Sequence, residues 1–325
     1  MTTLAKSVRE NVNLRYWGDD GSYFQAWYPI CLSEELPKGK ILGVDFLNSR
    51  IMAYRDKDGK AVVQSSYCPH LGADISGGEM VEGEVRCPYH HWRFNASGVC
   101  SHIPVLGRGM DTATLYNYPV AERWGLVWAF NGKEPFGEFP TLIGVTEEDV
   151  VWRTTDLGTM NVESWILNTN AVDFQHLKAV HHWPHAEDGC NFKVDQTTLS
   201  FDFAVANPTG AGKLFYQNSF SMRDLQPFAP GHFVMPTSHS PRPNFQQSYC
   251  VLAVLKPDNA ADLPAAHKRL DELESFLKNL NREDERIVEN MRFRRPGDAK
   301  LIRSDRGLKI MLDYLDQLPR ARPLD

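Results

Sequence analysis

Two short runs bring thiols and imidazoles together. Cys68-Pro-His70 is followed, after sixteen residues, by Cys87-Pro-Tyr-His90. Each run offers one thiolate and one neutral imidazole. Such a set ligates a [2Fe–2S] centre asymmetrically, with Cys68 and Cys87 on one iron and His70 and His90 on the other. Imidazole on the outer iron raises the potential above that of an all-cysteine cluster. The same four donors also make a tetrahedral zinc set, so counting ligands leaves both metals open.

A second constellation follows in Asn170-Ala-Val-Asp173-Phe-Gln-His176-Leu-Lys-Ala-Val-His181. His176 and His181 are five apart, roughly 140° around an ideal helix. A bulge or a helix end must bring them together, and Pro184 stops the helix soon after. Alone, His181, His182 and His185 read equally well as a surface histidine run. A distant carboxylate changes the balance. Leu270, Leu273, Phe276, Leu277, Leu280, Ile287, Val288 and Met291 form an apolar stripe at helical spacing. At about 100° per residue Asp284 falls roughly 20° from the centre of that stripe, Glu283 roughly 80° and Glu285 roughly 120°. A carboxylate on an apolar face is costly unless a cation meets it, either an arginine or a metal ion. Two histidines and a carboxylate are the facial triad of non-haem Fe(II) sites, which leaves the opposite face open for O₂ and substrate. His176, His181 and Asp284 are the candidate triad, with Glu283 as the alternative third ligand.

The elements that must position these groups differ along the chain. Residues 1–24 read as an arm. To about residue 135 the pattern is short strands and turns. Ile51–Tyr54 and Ala61–Val63 flank Asp56-Lys-Asp-Gly59 as a hairpin, Gly77-Gly78 and Gly98 mark tight turns, and Trp124–Phe130 is a buried strand. Gly132 to Pro140 is the boundary. Residues 195–256 alternate apolar runs with turns such as Asn207-Pro-Thr-Gly210, which indicates a second sheet. Helices are expected at about 160–182, 264–293 and 305–318. The aromatic and methionine side chains of 213–250, Phe228 among them, could line an apolar pocket, although any one of them is more simply sheet core.

The flanks separate the two metals. C-P-H-x-G and C-P-x-H-x-W resemble the paired loops of Rieske proteins. His91 breaks the C-x-x-H spacing and is read as a non-ligand at a position where many relatives carry glycine. Respiratory Rieske proteins carry a further cysteine in each loop. Here Ala73 and Tyr89 stand there, so the resemblance is to the oxygenase and ferredoxin branch. Trp27-Tyr28-Pro29, the N-x-x-D-x-x-H-x4-H run and Glu283–Glu289 extend it over nearly the whole chain, which is similar to the Rieske non-haem iron oxygenases of the single-component, ring-hydroxylating α-subunit type.

That resemblance implies an α+β fold: an N-terminal all-β Rieske [2Fe–2S] domain (25–138), then a helix-grip-like catalytic domain of antiparallel sheet and helices with a mononuclear iron (139–325). It implies a terminal oxygenase using O₂ and electrons from a NAD(P)H-dependent flavin reductase or ferredoxin to oxidise a small hydrophobic compound. Compactness favours monooxygenase chemistry, hydroxylation or dealkylation of an aromatic, steroidal or N/O-alkyl substrate, over dioxygenase chemistry. Asp173 takes the role of an electron bridge between subunits, touching the counterparts of His90 on a neighbour and of His176, in a homotrimer. The alternative is a Rieske ferredoxin-type carrier without catalysis, which leaves the second ligand set unexplained.

Composition sets the outer limits. A formal charge of −6 gives no basic footprint for nucleic acid. The polar start lacks a signal-peptide core, and no run reaches the length of a membrane span. Beyond Cys68 and Cys87, the four remaining cysteines read as reduced thiols of a cytoplasmic protein. There is no G-x-G-x-x-G fingerprint, so the reductase is a separate protein.

Overall fold

The structure is a computed structural model that describes residues 21–182, 190–203, 210–224, 230–291 and 299–323. Most of the expected arm, together with Pro184, His185, Phe228 and the 207–209 turn, lies outside the described residues.

From Trp27 to Phe130 the chain builds three small antiparallel sheets. The expected hairpin forms between Ser49–Arg55 and Ala61–Ser65. Asp56 Oδ1 closes its turn by accepting the N–H groups of Asp58 and Lys60, both at 2.9 Å. A five-stranded sheet runs in the order Arg108–Thr114, Val99–Ile103, Arg93–Phe94, Glu84–Arg86, Glu79–Val81. The 87–92 loop connects its strands Glu84–Arg86 and Arg93–Phe94, and the 68–73 loop precedes its edge strand. Gly78 passes so near the carbonyl of Arg86 that a Cβ would lie 2.0 Å from that oxygen, which explains glycine there.

Asp74 anchors the first loop. It caps the turn Ile75–Gly77, accepts from Ser76 N–H at 2.9 Å and from Arg50 Nε at 2.9 Å, and also bonds the Ser66 hydroxyl. Burial pushes its carboxyl up, but the Ser66, Ser76 and Arg50 hydrogen bonds outweigh that and hold it below the ordinary value.

Between Phe130 and Val150 there is neither helix nor strand. Then comes a seven-stranded antiparallel sheet, in the order Val150–Met160, Gln246–Leu255, His232–His239, Ser219–Arg223, Gly210–Phe215, Thr198–Phe203, Lys193–Val194. The strand Trp27–Leu32 ties the two halves. Its apolar residues share one core with Phe215, Tyr216 and Tyr249. Its backbone oxygen at Trp27 accepts from Asn218 Nδ2 at 2.9 Å. Tyr23–Phe24, the end of the expected arm, pairs with Arg320–Ala321 near the far end of the chain.

The helix expected over 160–182 is broken. It becomes α1 (Ser164–Thr169), a single 3₁₀ turn at Asn170–Val172, and α2 (Phe174–Ala179). Asp173 makes the break: its backbone is non-helical (φ −91°, ψ 87°) and its Oδ1 accepts the His176 N–H at 3.0 Å, an N-cap. The long helix α3 (Leu263–Val288) lays Leu270, Leu273 and Leu277 on Val234, Cys250 and Leu252 of the sheet. Ile287, assigned above to its stripe, is 40% exposed, because the stripe drifts off the sheet towards the helix end. The last helix, α4 (Arg306–Gln317), buries Met311, Leu312 and Leu315. Among the described residues no helix is long and apolar enough to cross a membrane.

Replacing Asp74 by Ala leaves Arg50 with Asp45 as its ion-pair partner (2.6 Å) and frees the first loop. The expected cost is about 1–2 kcal/mol, reduced by partial exposure. It is read as a lowered Tm together with faster loss of the visible chromophore on dilution.

Candidate metal centres

The 68–73 and 87–92 loops repeat one backbone design. In each, the cysteine N–H donates to the carbonyl five residues on: Cys68 to Ala73 and Cys87 to Trp92, both at 2.9 Å. In each, the cysteine carbonyl accepts from the N–H four residues on, Gly72 at 2.8 Å and His91 at 3.1 Å. That fourth residue is left-handed in both, Gly72 at φ 75° and His91 at φ 62°. The position favours glycine because a Cβ is strained there. His91 is therefore a turn residue with an exposed side chain.

The four donors divide into two pairs. Cys68 and Cys87 are 3% and 1% exposed, and their thiols contact each other. His70 and His90 are exposed, with ring centroids 4.6 Å apart. Trp92 stacks on His70 at 4.6 Å and 6°, fixing the plane of that ring. Burial raises the Cys68 thiol to about 11, so a bound metal must displace its proton. Among the described residues, the group whose donor atoms all lie within 4.8 Å of one another is His176, His181 and Asp284, and no three of the loop donors form such a group. One zinc ion would need all four around a single point. Two sulfurs inside and two nitrogens outside suit a two-iron cluster.

The second site sits where the C-terminal ends of α2 and α3 come near one another. His176 lies on α2, His181 just past its end, and Asp284 on the buried face of α3. The helix end thus solves the five-residue spacing. His176 Nε2, His181 Nε2 and Asp284 Oδ1 form a triangle with all three sides 3.1 Å. Their side chains are 10%, 3% and 12% exposed. Glu283 Oε2 lies 2.9 Å from His181 Nδ1, which takes the ring proton at Nδ1 and leaves Nε2 a bare lone pair. Asp284 Oδ1 has no well-directed hydrogen bond. Burial pushes the Asp284 carboxyl up, and the facing His176 and His181 rings more than reverse this, to about 2. Burial lowers His181, but Asp284 and Glu283 carry it above its ordinary value.

Lone pairs and a carboxylate converging at 3.1 Å call for a cation between them. The triangle also bears on its geometry. Ligands about 2.1 Å from one ion stand about 3.0 Å apart at right angles and about 3.4 Å apart in a tetrahedron. The observed sides match three adjacent corners of an octahedron, the facial arrangement. Glu283 lies beside His181 and outside the triangle.

A pocket opens on this triangle, enclosing about 760 Å³ of space that is partly open to solvent. Leu157, Leu167, Phe220, Met222, Leu277 and Leu280 supply apolar wall, and Asn168, Asn170 and Asn281 are its amides. Of the residues singled out in 213–250, Phe220 and Met222 reach the pocket, whereas Phe215, Tyr216 and Met235 fill the core. Sequence reasoning gave no role to Trp92, to the grip of Glu283 on His181 or to Asn281. Trp92 was visible as the last residue of C-P-x-H-x-W, and Asn281 as lying three residues before Asp284 on one helix face.

Known proteins resemble this chain in sequence and in fold. A model of the Rieske [2Fe-2S] domain matches residues 26–119. Cholesterol 7-desaturase of Bombyx mori is 32% identical over 166 residues, 49% of this chain and 36% of that protein. The oxygenase component of dicamba O-demethylase from Stenotrophomonas maltophilia is 33% identical over 160 residues, 48% of this chain and 47% of that protein. The matched region thus spans less than half the length of either relative. Among solved structures, dicamba monooxygenase bound to dicamba has the same fold, with a TM-score of 0.68 over 90% of this chain and 96% of its own at 20% identity.

Two substitutions test the centres. His91→Gly removes left-handed strain and is expected to stabilise the chain by about 0.5–1 kcal/mol with an unchanged cluster spectrum; a bleached spectrum would make His91 a ligand. Asp284→Ala is expected to lose the mononuclear metal by elemental analysis with the cluster intact, whereas Glu283→Gln should only weaken that metal about 10–100-fold.

Proposed function

We propose that this homologue of the Rieske oxygenases is a terminal oxygenase that oxidises a small hydrophobic molecule with O₂ and externally supplied electrons. The observation that carries the reading is the facial triangle of His176, His181 and Asp284 opening on an apolar pocket, in a chain that also holds a Rieske domain. A pure electron carrier has no use for the second site.

Cys68, Cys87, His70 and His90 would hold the cluster, and His176, His181 and Asp284 the iron. Their chemistry, when bound, is one-electron storage and O₂ activation respectively. The chain does the rest. Glu283 fixes the His181 tautomer. The leucine walls exclude water and place the substrate against the open side of the triangle. The exposed edges of His70 and His90 make the cluster accessible to a partner. Catalytic residues in this sense are the three ligands, and Asp173 is assigned the inter-subunit bridge. Its Oδ1 caps α2 beside His176, which leaves Oδ2 for the His90 of a neighbouring copy. Leu71 and Tyr89, 66% and 61% exposed beside the cluster histidines, give that neighbour an apolar surface, consistent with a homotrimer. The dicamba relative is an oxygenase component, and a separate ferredoxin or flavin reductase drawing on NAD(P)H suits a chain with no nucleotide fingerprint. Free cysteines throughout fit the cytoplasm. One relative acts as an O-demethylase and another as a cholesterol desaturase; a monooxygenase outcome, hydroxylation or dealkylation of an aromatic, steroidal or N/O-alkyl compound, is the reading taken here.

In a single turnover, the metal-loaded, pre-reduced protein is mixed with O₂ and candidate ethers, N-methyl compounds and sterols. Product is expected from the native chain. Asp173→Ala should keep both metals and lose product by about tenfold or more, and full product from it would reject the bridge.

A further inference from the structure

The pocket is apolar except at the metal ligands and three amides, and the amides are not equivalent. Asn168 Nδ2 is committed to the Gln217 carbonyl at 2.7 Å in the buried wall. Asn170 Nδ2 is out of solvent's reach and has no partner among the described residues. Asn281 is different. It lines the pocket, is only partly buried, and its side chain makes no hydrogen bond among the described residues. It lies three residues before Asp284 on α3, so the two share a helix face about 4.5 Å apart along the axis. Leu277 and Leu280 beside it are apolar wall. An amide one turn from the iron ligand, among leucines, gives up its water when the pocket fills and is then left unpaired unless the occupant bonds to it.

Resting on the oxygenase reading, we infer that Asn281 is a specificity-determining residue. Its amide hydrogen-bonds an uncharged oxygen, a carbonyl or a hydroxyl, on an otherwise apolar substrate, and so sets which carbon faces the open side of the triangle. The class follows from the lining. No lysine or arginine is among the described lining residues, so a carboxylate would meet Asp284 with no side-chain cation of its own. A plain hydrocarbon would bury the amide unpaired, which sites built around a polar contact reject strongly.

The test needs no turnover. Equilibrium dialysis measures binding of three probes on one frame, 4-phenylcyclohexanone, cyclohexylbenzene and 4-phenylcyclohexanecarboxylate, to the metal-loaded full chain. The expected result is a preference for the ketone over the hydrocarbon that falls about tenfold in Asn281→Leu, the value of one hydrogen bond. Metal content should stay at the native level. Asn281→Ala, which adds space rather than bulk, should show the same fall, and it carries the test if the leucine variant does not fold. An unchanged ketone-to-hydrocarbon ratio in the folded variant, a carboxylate that binds tightest, or no binding of any probe overturns the inference. If the ratio shifts and no O₂ is consumed with any substrate, the subsite stands and the oxygenase reading falls. If product forms and the ratio does not shift, the reverse holds.

Discussion

Three Lewis bases, their side chains 3–12% exposed, face one another at 3.1 Å. That is the constraint around which the second half of the chain is arranged. A carboxylate and two imidazole nitrogens can stay so close only with positive charge between them. Removing any one leaves the others buried and unpaired. The surrounding structure makes sense as the means of holding that triangle. The break at Asp173 starts α2 afresh, so that His176 lies on it and His181 falls just past its end. The leucine stripe of α3 pins the helix to the sheet and fixes the rotation that buries Asp284. Glu283, on the wet flank of that helix, decides which nitrogen of His181 is free to bind.

The other centre rests on backbone rather than on side-chain packing. Two loops with the same hydrogen-bond closure and the same left-handed fourth residue hold their cysteines inside and their histidines outside. The division is electrostatic in its consequence. The thiolate end is shielded, and the imidazole end, with Trp92 flat against His70, meets solvent where an electron can enter or leave. The strand Trp27–Leu32 joins the two halves through a shared core, so the distance between the two loops and the triangle within one chain is set by the fold.

How much of this was legible follows from what kind of signal each part leaves. The four donors of the two loops were readable because metal chemistry demands particular residue types at particular spacings. The place of Asp284 was readable because a charge on an apolar stripe violates a period. The long helices were readable from the same periodicity, and the 49–65 hairpin from its Asp56-Lys-Asp-Gly59 turn between two apolar runs. The break within 160–182 was not: Asp173 could equally continue a helix, and only its cap geometry shows that it starts one. The reason for His91 was likewise hidden, since a left-handed φ has no sequence mark when glycine is absent. The role of Glu283 emerged only once the end of α3 came against His181, a contact between residues 102 apart in the chain. The pocket lining drew Phe220 and Met222 from a run of similar side chains, and alternation along a strand could not say which would face the iron.

The account stands on two independent iron centres in one chain, and electron paramagnetic resonance of the reduced, iron-loaded protein exposed to nitric oxide tests it most directly. It predicts two coexisting signals, the rhombic spectrum of a reduced Rieske cluster and the high-spin spectrum of a ferrous nitrosyl. A Rieske spectrum alone, from protein shown to be fully loaded, would contradict it.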